Sequence, residues 1–103
     1  MSGKKKVENE IAVNNALNIL KQVSESSSTP RNIRKTLKEV IDMLNDSSTT
    51  IGIRAANAIS MLDDMSQDPN MPSFARVTIW SGVSALENIR EWSKKYNFSI
   101  IVY

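Results

Sequence analysis

The sequence predicts a single all-α domain, an antiparallel four-helix bundle with a short extended C-terminal tail. Four stretches repeat apolar residues at helical spacing, short polar breaks separate them, and only the last residues alternate as a strand does. The chain has 103 residues, 41% of them hydrophobic and 23% charged, which is typical of one globular domain. We assign residues 1–95 to the bundle, with 1–6 as a flexible basic N-terminus, and 96–103 to the tail.

The first helix is predicted from about Glu8 to Ser24, after the basic start MSGKKK. Val7 and Ile11 fall on its polar side, so we expect them to lie outside the regular helix or to meet another part of the molecule. The loop SESSSTP follows. The apolar face consists of Ala12, Val13, Ala16, Ile19, Leu20 and Val23.

The second and third helices have capping residues at their predicted starts. Thr29 is predicted as the N-cap of the second, with Pro30 at its first position, and this helix ends near Asp46. The third runs from about Thr50 to Gln67, because the following residue precedes a proline and is pushed out of the helical region. Their core positions are Ile33, Leu37, Val40, Ile41 and Leu44, then Ile51, Ala55, Ala58, Ile59, Leu62 and Met65.

The fourth helix is predicted from about Pro72 to Lys94, and the tail YNFSIIVY then alternates as a strand does. A lone strand has no partner within a helical bundle. The tail therefore lies against the bundle, pairs with a second copy or stays disordered, and we favour the first arrangement. The core positions of the helix are Ala75, Ile79, Val83, Leu86 and Ile89, with small residues at Gly82 and Ala85.

The composition argues against an enzyme and against a bound metal or cofactor. The chain has no cysteine and no histidine, which removes thiolate chemistry, the commonest general base and the commonest transition-metal ligand. Asp63, Asp64 and Asp68 lie around the end of the third helix without calcium-loop spacing, so we interpret them as solvated. We expect no catalytic residues, no small-molecule substrate, no membrane contact, and a cytoplasmic location.

Four cations lie opposite the apolar stripe of the second helix, within about 100° of one another. The net charge of the chain is only +2, but residues 1–40 hold eight Lys/Arg against four Glu, a local balance of +4. These cations are candidate contacts to nucleic-acid phosphates, and the alternative is an ordinary solvated face. They are Arg31, Arg34, Lys35 and Lys38.

A row of side chains on the fourth helix is the candidate protein-binding surface. Arg76 and Trp80 are one turn apart, so the guanidinium can stack over the indole, and Glu87 can pair with Arg90. The alternative is a core rim, in which Trp80 covers the bundle and a surface ion pair lies beside it. We expect a mixed outcome, with Trp80 mainly structural and Arg76 mainly available to a partner.

The segment DPNMP, residues 68–72, connects the third and fourth helices and precedes this row. Met71 is held non-helical between two prolines and is predicted to plug the core, while the side chain of Asn70 is predicted to close the turn. Arg54, on the third helix, is expected to reach a loop carbonyl or a helix end. STPRNIR and STTIGIR echo each other but are too short to indicate a repeat array.

Three segments, PRNIRKTLKEV, IRAANAISMLDDMSQDPNMP and ARVTIWSGVSALENI, resemble a family of small uncharacterised archaeal proteins. The resemblance covers about residues 30–89 and implies a four-helix bundle, with no activity to carry over. The long N-terminus and the tail depart from the compact ending of the family. The residues that match the family signature are Asn70, Met71, Pro72, Arg76, Trp80, Ser84 and Glu87.

The sequence favours a non-enzymatic interaction module that binds a protein partner or itself. The candidate contacts are Asn70, Met71, Arg76, Trp80 and Glu87. The alternative is an accessory protein that touches RNA or DNA through the basic face of the second helix. A steep salt dependence of binding would distinguish the second function from the first.

Overall fold

Four helices pack into the predicted antiparallel bundle. The computed structural model describes the backbone of residues 3–93 and 98–101 and the side chains of residues 6–89. α1 (Gly3–Glu25) packs on both α2 (Arg31–Leu44) and α4 (Ser73–Leu86), and α3 (Ile51–Ser66) also packs on both of them. The four helices thus form a closed ring around one core. None of the described helices has the length and hydropathy that crossing a bilayer requires.

The core consists of the apolar stripes that the helical spacing predicts. Each helix contributes leucine or isoleucine side chains that are almost completely buried, and α1 approaches α4 closely where Gly82 lies against Leu20. Burial of this surface is the main favourable term in the stability of the bundle. The largest fully buried apolar side chains are Leu20, Ile33, Leu37, Val40, Leu44, Leu62, Ile79, Leu86 and Ile89.

α1 begins at Gly3, earlier than the sequence predicts, so residues 3–6 are helical rather than a flexible start. Residues 1–2 lie outside the described part of the chain. Val7 and Ile11 belong to the regular helix and are exposed on its outer side. The first of the two expected alternatives, that they lie outside the regular helix, was wrong, because two exposed apolar side chains do not prevent a helix that is held by its opposite face.

The C-terminal part differs from the prediction. α4 ends at Leu86, and β1 (Arg90–Ser93) pairs antiparallel with β2 (Phe98–Ile101), so the fourth helix does not continue to Lys94. The strand predicted in the tail is confirmed for residues 98–101, but it is not a lone strand. Its ladder partner is the segment REWS, which satisfies backbone groups that an isolated strand would leave unpaired. Residues 94–97 and 102–103 lie outside the described part.

Three short junctions of five or six residues join the four helices, and all three end in the same extended backbone conformation. We call residues 26–30, 45–50 and 67–72 the first, second and third junction. The residue before each following helix is extended, with φ and ψ of −55° and 149° at Pro30, −63° and 153° at Thr50, and −63° and 150° at Pro72. The sequence echo STPRNIR and STTIGIR therefore marks the first two of three equivalent turns.

A hydroxyl or carboxylate closes each turn at an equivalent position. Ser26 Oγ, Asp46 Oδ1 and Asp68 Oδ1 each accept a hydrogen bond from the backbone N–H two residues later, at 3.3, 3.0 and 2.8 Å. The hydrogen bonds from the Ser48 hydroxyl and N–H lower the pKa of Asp46. These local bonds stabilise the chain reversal in each junction.

The predicted N-cap of the second helix is also corrected. Pro30 is the capping residue, and no side chain caps the helix. Thr29 is instead buried, and its Oγ1 has no hydrogen-bond partner in the structure. Thr29 points into the bundle because it occupies the same position in its turn as the core plug Met71 does in the third junction.

Candidate interaction surfaces

The outward side of α4 is apolar and carries no charge. Phe74 is 46% exposed, Val77 60% and Trp80 52%, and they lie opposite the buried side of the helix. Ser73, Ser81 and Ser84 fill the positions between them. The Ser81 hydroxyl donates to the Val77 carbonyl at 3.4 Å, so part of the polarity of this side is satisfied within the helix. We call these six residues the α4 outer face.

Trp80 lies at the edge of the apolar arc, where its spacing places it, and 52% of its surface is exposed. The mainly structural role expected for Trp80 stays a prediction. Glu87 is half-buried at the C-cap of α4, where its backbone N–H bonds to the Val83 carbonyl at 2.9 Å. The predicted partner of the Glu87 carboxylate, the side chain of Arg90, lies outside the described residues.

Arg76, which was expected to be mainly available to a partner, is held by a hydrogen bond to the end of α3. Its Nε donates to the carbonyl of Ser66, the last residue of α3, at 3.0 Å. Arg54 makes the equivalent bond one junction earlier, from Nη1 to the carbonyl of Leu44, the last residue of α2, at 2.7 Å. Both guanidinium groups supply a cation to a helix C-terminus whose carbonyls lack intrahelical partners. The expectation that Arg54 reaches a helix end is confirmed.

The DPNMP connector behaves as predicted at Met71 and differently at Asn70. Met71 is buried and belongs to the core. The turn is closed by the carboxylate of Asp68, which accepts from the Asn70 backbone N–H, whereas the Asn70 residue itself is exposed. The carboxylate of Asp68 also accepts from Asn32 Nδ2 on α2 at 3.2 Å. Of Met71 and Asn70, only Asn70 is exposed and therefore available to a partner.

The four predicted phosphate contacts lie together on the surface. Arg31, Lys35 and Lys38 are exposed, Arg34 is half-buried, and the four side chains surround one shallow depression on α2. No hydrogen bond or ion pair joins any of these four side chains to another described residue, and the Nε of Arg34 is buried without a partner. We call them the basic quartet.

The acidic residues near the end of α3 do not form a metal-binding group. Asp63 and Asp64 are exposed, and Asp68 is half-buried and engaged in the third junction. Among the side chains of residues 6–89, no three acidic groups come together closely enough to hold a cation.

The buried polar residue Asn9 was not identified from the sequence. Asn9 is 1% exposed and shares the apolar stripe of α1, three and four residues before Ala12 and Val13. It lies beside Thr49 of the second junction and Arg54 of α3, around one surface pocket. Its burial could have been predicted from its position on the apolar stripe, because a polar residue at a core position indicates a buried hydrogen bond.

Comparisons with known proteins agree with this architecture. A protein of Metallosphaera sedula from the UPF0147 family is 46% identical over 84 residues, covering 82% of this chain and 94% of that protein. A relative from Desulfurococcus amylolyticus is 41% identical over 85 residues, covering 82% and 93%.

Two crystal structures resemble the bundle. One is a UPF0147 protein from Thermoplasma acidophilum, with a TM-score of 0.75 and 28% identity over 80% of this chain and 96% of that chain. The other is MMP1188, described as a protein of unknown function, with a TM-score of 0.70 and 38% identity over 74% and 86%. The family model itself matches residues 1–89, which include the four helices and stop before β1. The chain therefore belongs to the uncharacterised protein family UPF0147.

Proposed function

We propose that this protein is a non-enzymatic interaction module that binds protein through the α4 outer face. The observation that carries the proposal is the exposure of Phe74, Val77 and Trp80 together on one side of one helix. Single exposed apolar residues are normal on protein surfaces, but a contiguous group that includes tryptophan is typical of an interface. The cytoplasmic location expected from the sequence is part of the same proposal.

The absence of charge on this face strengthens the argument. Elsewhere the outer sides of the helices carry charged residues, such as Lys38 and Asp42 on α2 and Asp63 on α3. A partner that covers the α4 outer face has no charged group to desolvate, so the unfavourable electrostatic term of binding is small. The contact cores of interfaces are depleted in charged residues in the same way.

The composition of the α4 outer face favours a second copy of the chain as the partner. A two-fold interface brings the same patch of both copies together, so a charge-free patch meets its copy without repulsion. Ser73, Ser81 and Ser84 are small enough to let two α4 helices approach each other. The predicted alternative, a different protein partner, would use the same surface.

The available area indicates that this self-association is weak. About half of each of the three large side chains is exposed, so together they offer roughly 300 Å² per copy. A stable interface of standard size buries about 800 Å² per partner. We therefore expect a dissociation constant in the range of roughly 10 μM to 1 mM.

Sedimentation velocity over that concentration range tests the proposal. The wild-type chain should shift from monomer to dimer, and Val77→Lys, at the centre of the face, should stay monomeric because two lysines would meet at the two-fold axis. Ile53→Lys is the matched control, since Ile53 is 45% exposed on α3 and lies outside the face. A wild-type chain that remains monomeric throughout, or a control that abolishes dimers equally, would overturn self-association through α4.

A further inference from the structure

We infer that the basic quartet is a binding surface for the sugar-phosphate backbone of nucleic acid. This inference goes beyond the α4 outer face and does not depend on it, because the two surfaces lie on different helices. It rests on three observations: an arginine that is not used structurally, the spacing of four cations, and the absence of apolar residues beside them.

The three equivalent junctions distinguish Arg34 from the other arginines. Arg34, Arg54 and Arg76 are each the fourth residue of their helix. Arg54 and Arg76 bond to the carbonyl ten residues before them, which ends the preceding helix. The side chain of Arg34 makes no such bond within the described residues, and its Nε is buried without a partner, as the Nε of Arg54 also is. The Nη donors of Arg34 are therefore available to a ligand at the position where Arg54 and Arg76 bind the end of the preceding helix.

The spacing of the quartet suits a row of phosphates. Arg31 and Lys38 are seven residues apart, or about 10 Å along the helix axis, and the four side chains span about 100° around it. One nucleic-acid strand presents a phosphate about every 3.4 Å along a duplex axis, so this length corresponds to about three phosphates. Arg31 and Arg34 can each bind a phosphate with two parallel N–H donors, and Lys35 and Lys38 add point charges.

The positive charge of α2 is concentrated toward its N-terminal end. The four cations lie among the first eight of its fourteen residues, and Arg31 and Arg34 lie in the first turn, where the helix dipole is also positive, whereas Glu39 and Asp42 lie beyond them. The ligand should therefore lie across the start of α2 rather than along its full length. Because no aromatic residue lies among the cations, bases are not stacked, and binding should depend little on nucleotide sequence.

The surroundings favour nucleic acid over a lipid surface. Helices that bind membranes through cations also insert apolar side chains beside them. The large exposed apolar residues of the described chain lie on α1, α3 and α4, and none lies on α2. An acidic protein segment is a different partner with the same charge, and the experiment below separates it from nucleic acid.

Fluorescence anisotropy with a short labelled RNA strand of mixed sequence tests the inference. The wild-type chain should bind at about 50 mM salt and lose affinity steeply by about 200 mM. The double variant Lys35→Glu/Lys38→Glu should reduce affinity at low salt at least tenfold. It should also lower the slope of log affinity against log salt by about 1.4, because two phosphate contacts to a single strand are lost. Both residues are exposed, so the melting temperature should stay near the wild-type value.

The matched control is Lys6→Glu/Lys21→Glu, which changes the net charge equally at two exposed positions of α1. If it weakens binding as much as the quartet variant, overall charge or the N-terminal lysines bind RNA, and the inference fails. Wild-type protein that does not bind RNA at low salt would also overturn it. Polyglutamate that competes with RNA at equal charge concentration would assign the surface to an acidic protein segment instead.

Discussion

The first and third junctions end in the same backbone conformation but use their side chains differently. In both, a side-chain oxygen closes the turn, and the next helix begins after an extended proline, Pro30 or Pro72. In the third, Met71 fills the core and Arg76 bonds to the end of α3. In the first, Thr29 is buried with an unpartnered hydroxyl, and Arg34 makes no equivalent bond.

This difference teaches that the geometry of a turn and its contribution to stability are separable. Local hydrogen bonds from Ser26 and Asp68 produce the chain reversal in both places. The stability of each junction then depends on which side chains occupy the equivalent positions. We expect the third junction to be a strong anchor of the bundle and the first to be weaker.

The largest expected effect is at the core plug of the third junction. Met71→Ala should lower the free energy of unfolding by about 2–5 kcal/mol, because it removes a buried side chain and leaves a cavity. Met71→Leu conserves volume and should cost less than about 1.5 kcal/mol. Urea denaturation followed by circular dichroism measures both. An alanine variant within about 0.5 kcal/mol of the wild type would show that Met71 is not an anchor.

The arginines should differ by a smaller amount. Arg76→Met keeps the apolar stem but removes the bond to the Ser66 carbonyl, and should cost about 1–2 kcal/mol. Arg34→Met, which breaks no such bond, should change stability by less than about 0.5 kcal/mol. The same denaturation experiment compares the two variants directly. Equal losses at both positions would contradict the difference between the junctions.

The smallest effect should be a gain in stability at the first junction. Thr29→Val replaces a buried hydroxyl that has no partner with a methyl group of similar size, and should raise the free energy of unfolding by about 1 kcal/mol. Thr29→Ser keeps the hydroxyl and loses a methyl group, so it should not stabilise the protein. Thermal denaturation of both variants checks this. A destabilised valine variant would indicate that the hydroxyl is hydrogen-bonded in solution.

The sequence predicted most of the bundle because helical spacing reports burial directly. For example, Leu37 of α2 and Leu62 of α3 are buried, as the helical spacing predicts. The end of α4 was not predictable in this way, since apolar spacing continues through Ile89. Pairing of residues 90–93 with 98–101 overrides that pattern, and strand pairing between separated segments leaves no helical periodicity to read.

The candidate surfaces were predictable in position but not in role. The basic quartet lies together because four residues of one helix face one way whatever surrounds them. The roles of Arg76 and Trp80 depended on the distance between α4 and the last carbonyl of α3. Tertiary packing sets that distance, and the spacing of residues along one helix does not report it. The hydrogen bond from Arg54 to the end of α2 was predictable, because a long cationic side chain beside a helix end has few other partners.

The closed ring of helices has a consequence for how the chain folds. Contacts between α2 and α3, and between α3 and α4, join segments separated only by a six-residue junction. The packing of α1 on α4 instead joins the two ends of the bundle across the whole intervening chain. Closing that long loop costs more chain entropy than forming either local hairpin, although the cost grows slowly with length. We therefore expect the docking of α1 onto α4 to limit the folding rate of an otherwise low-contact-order protein.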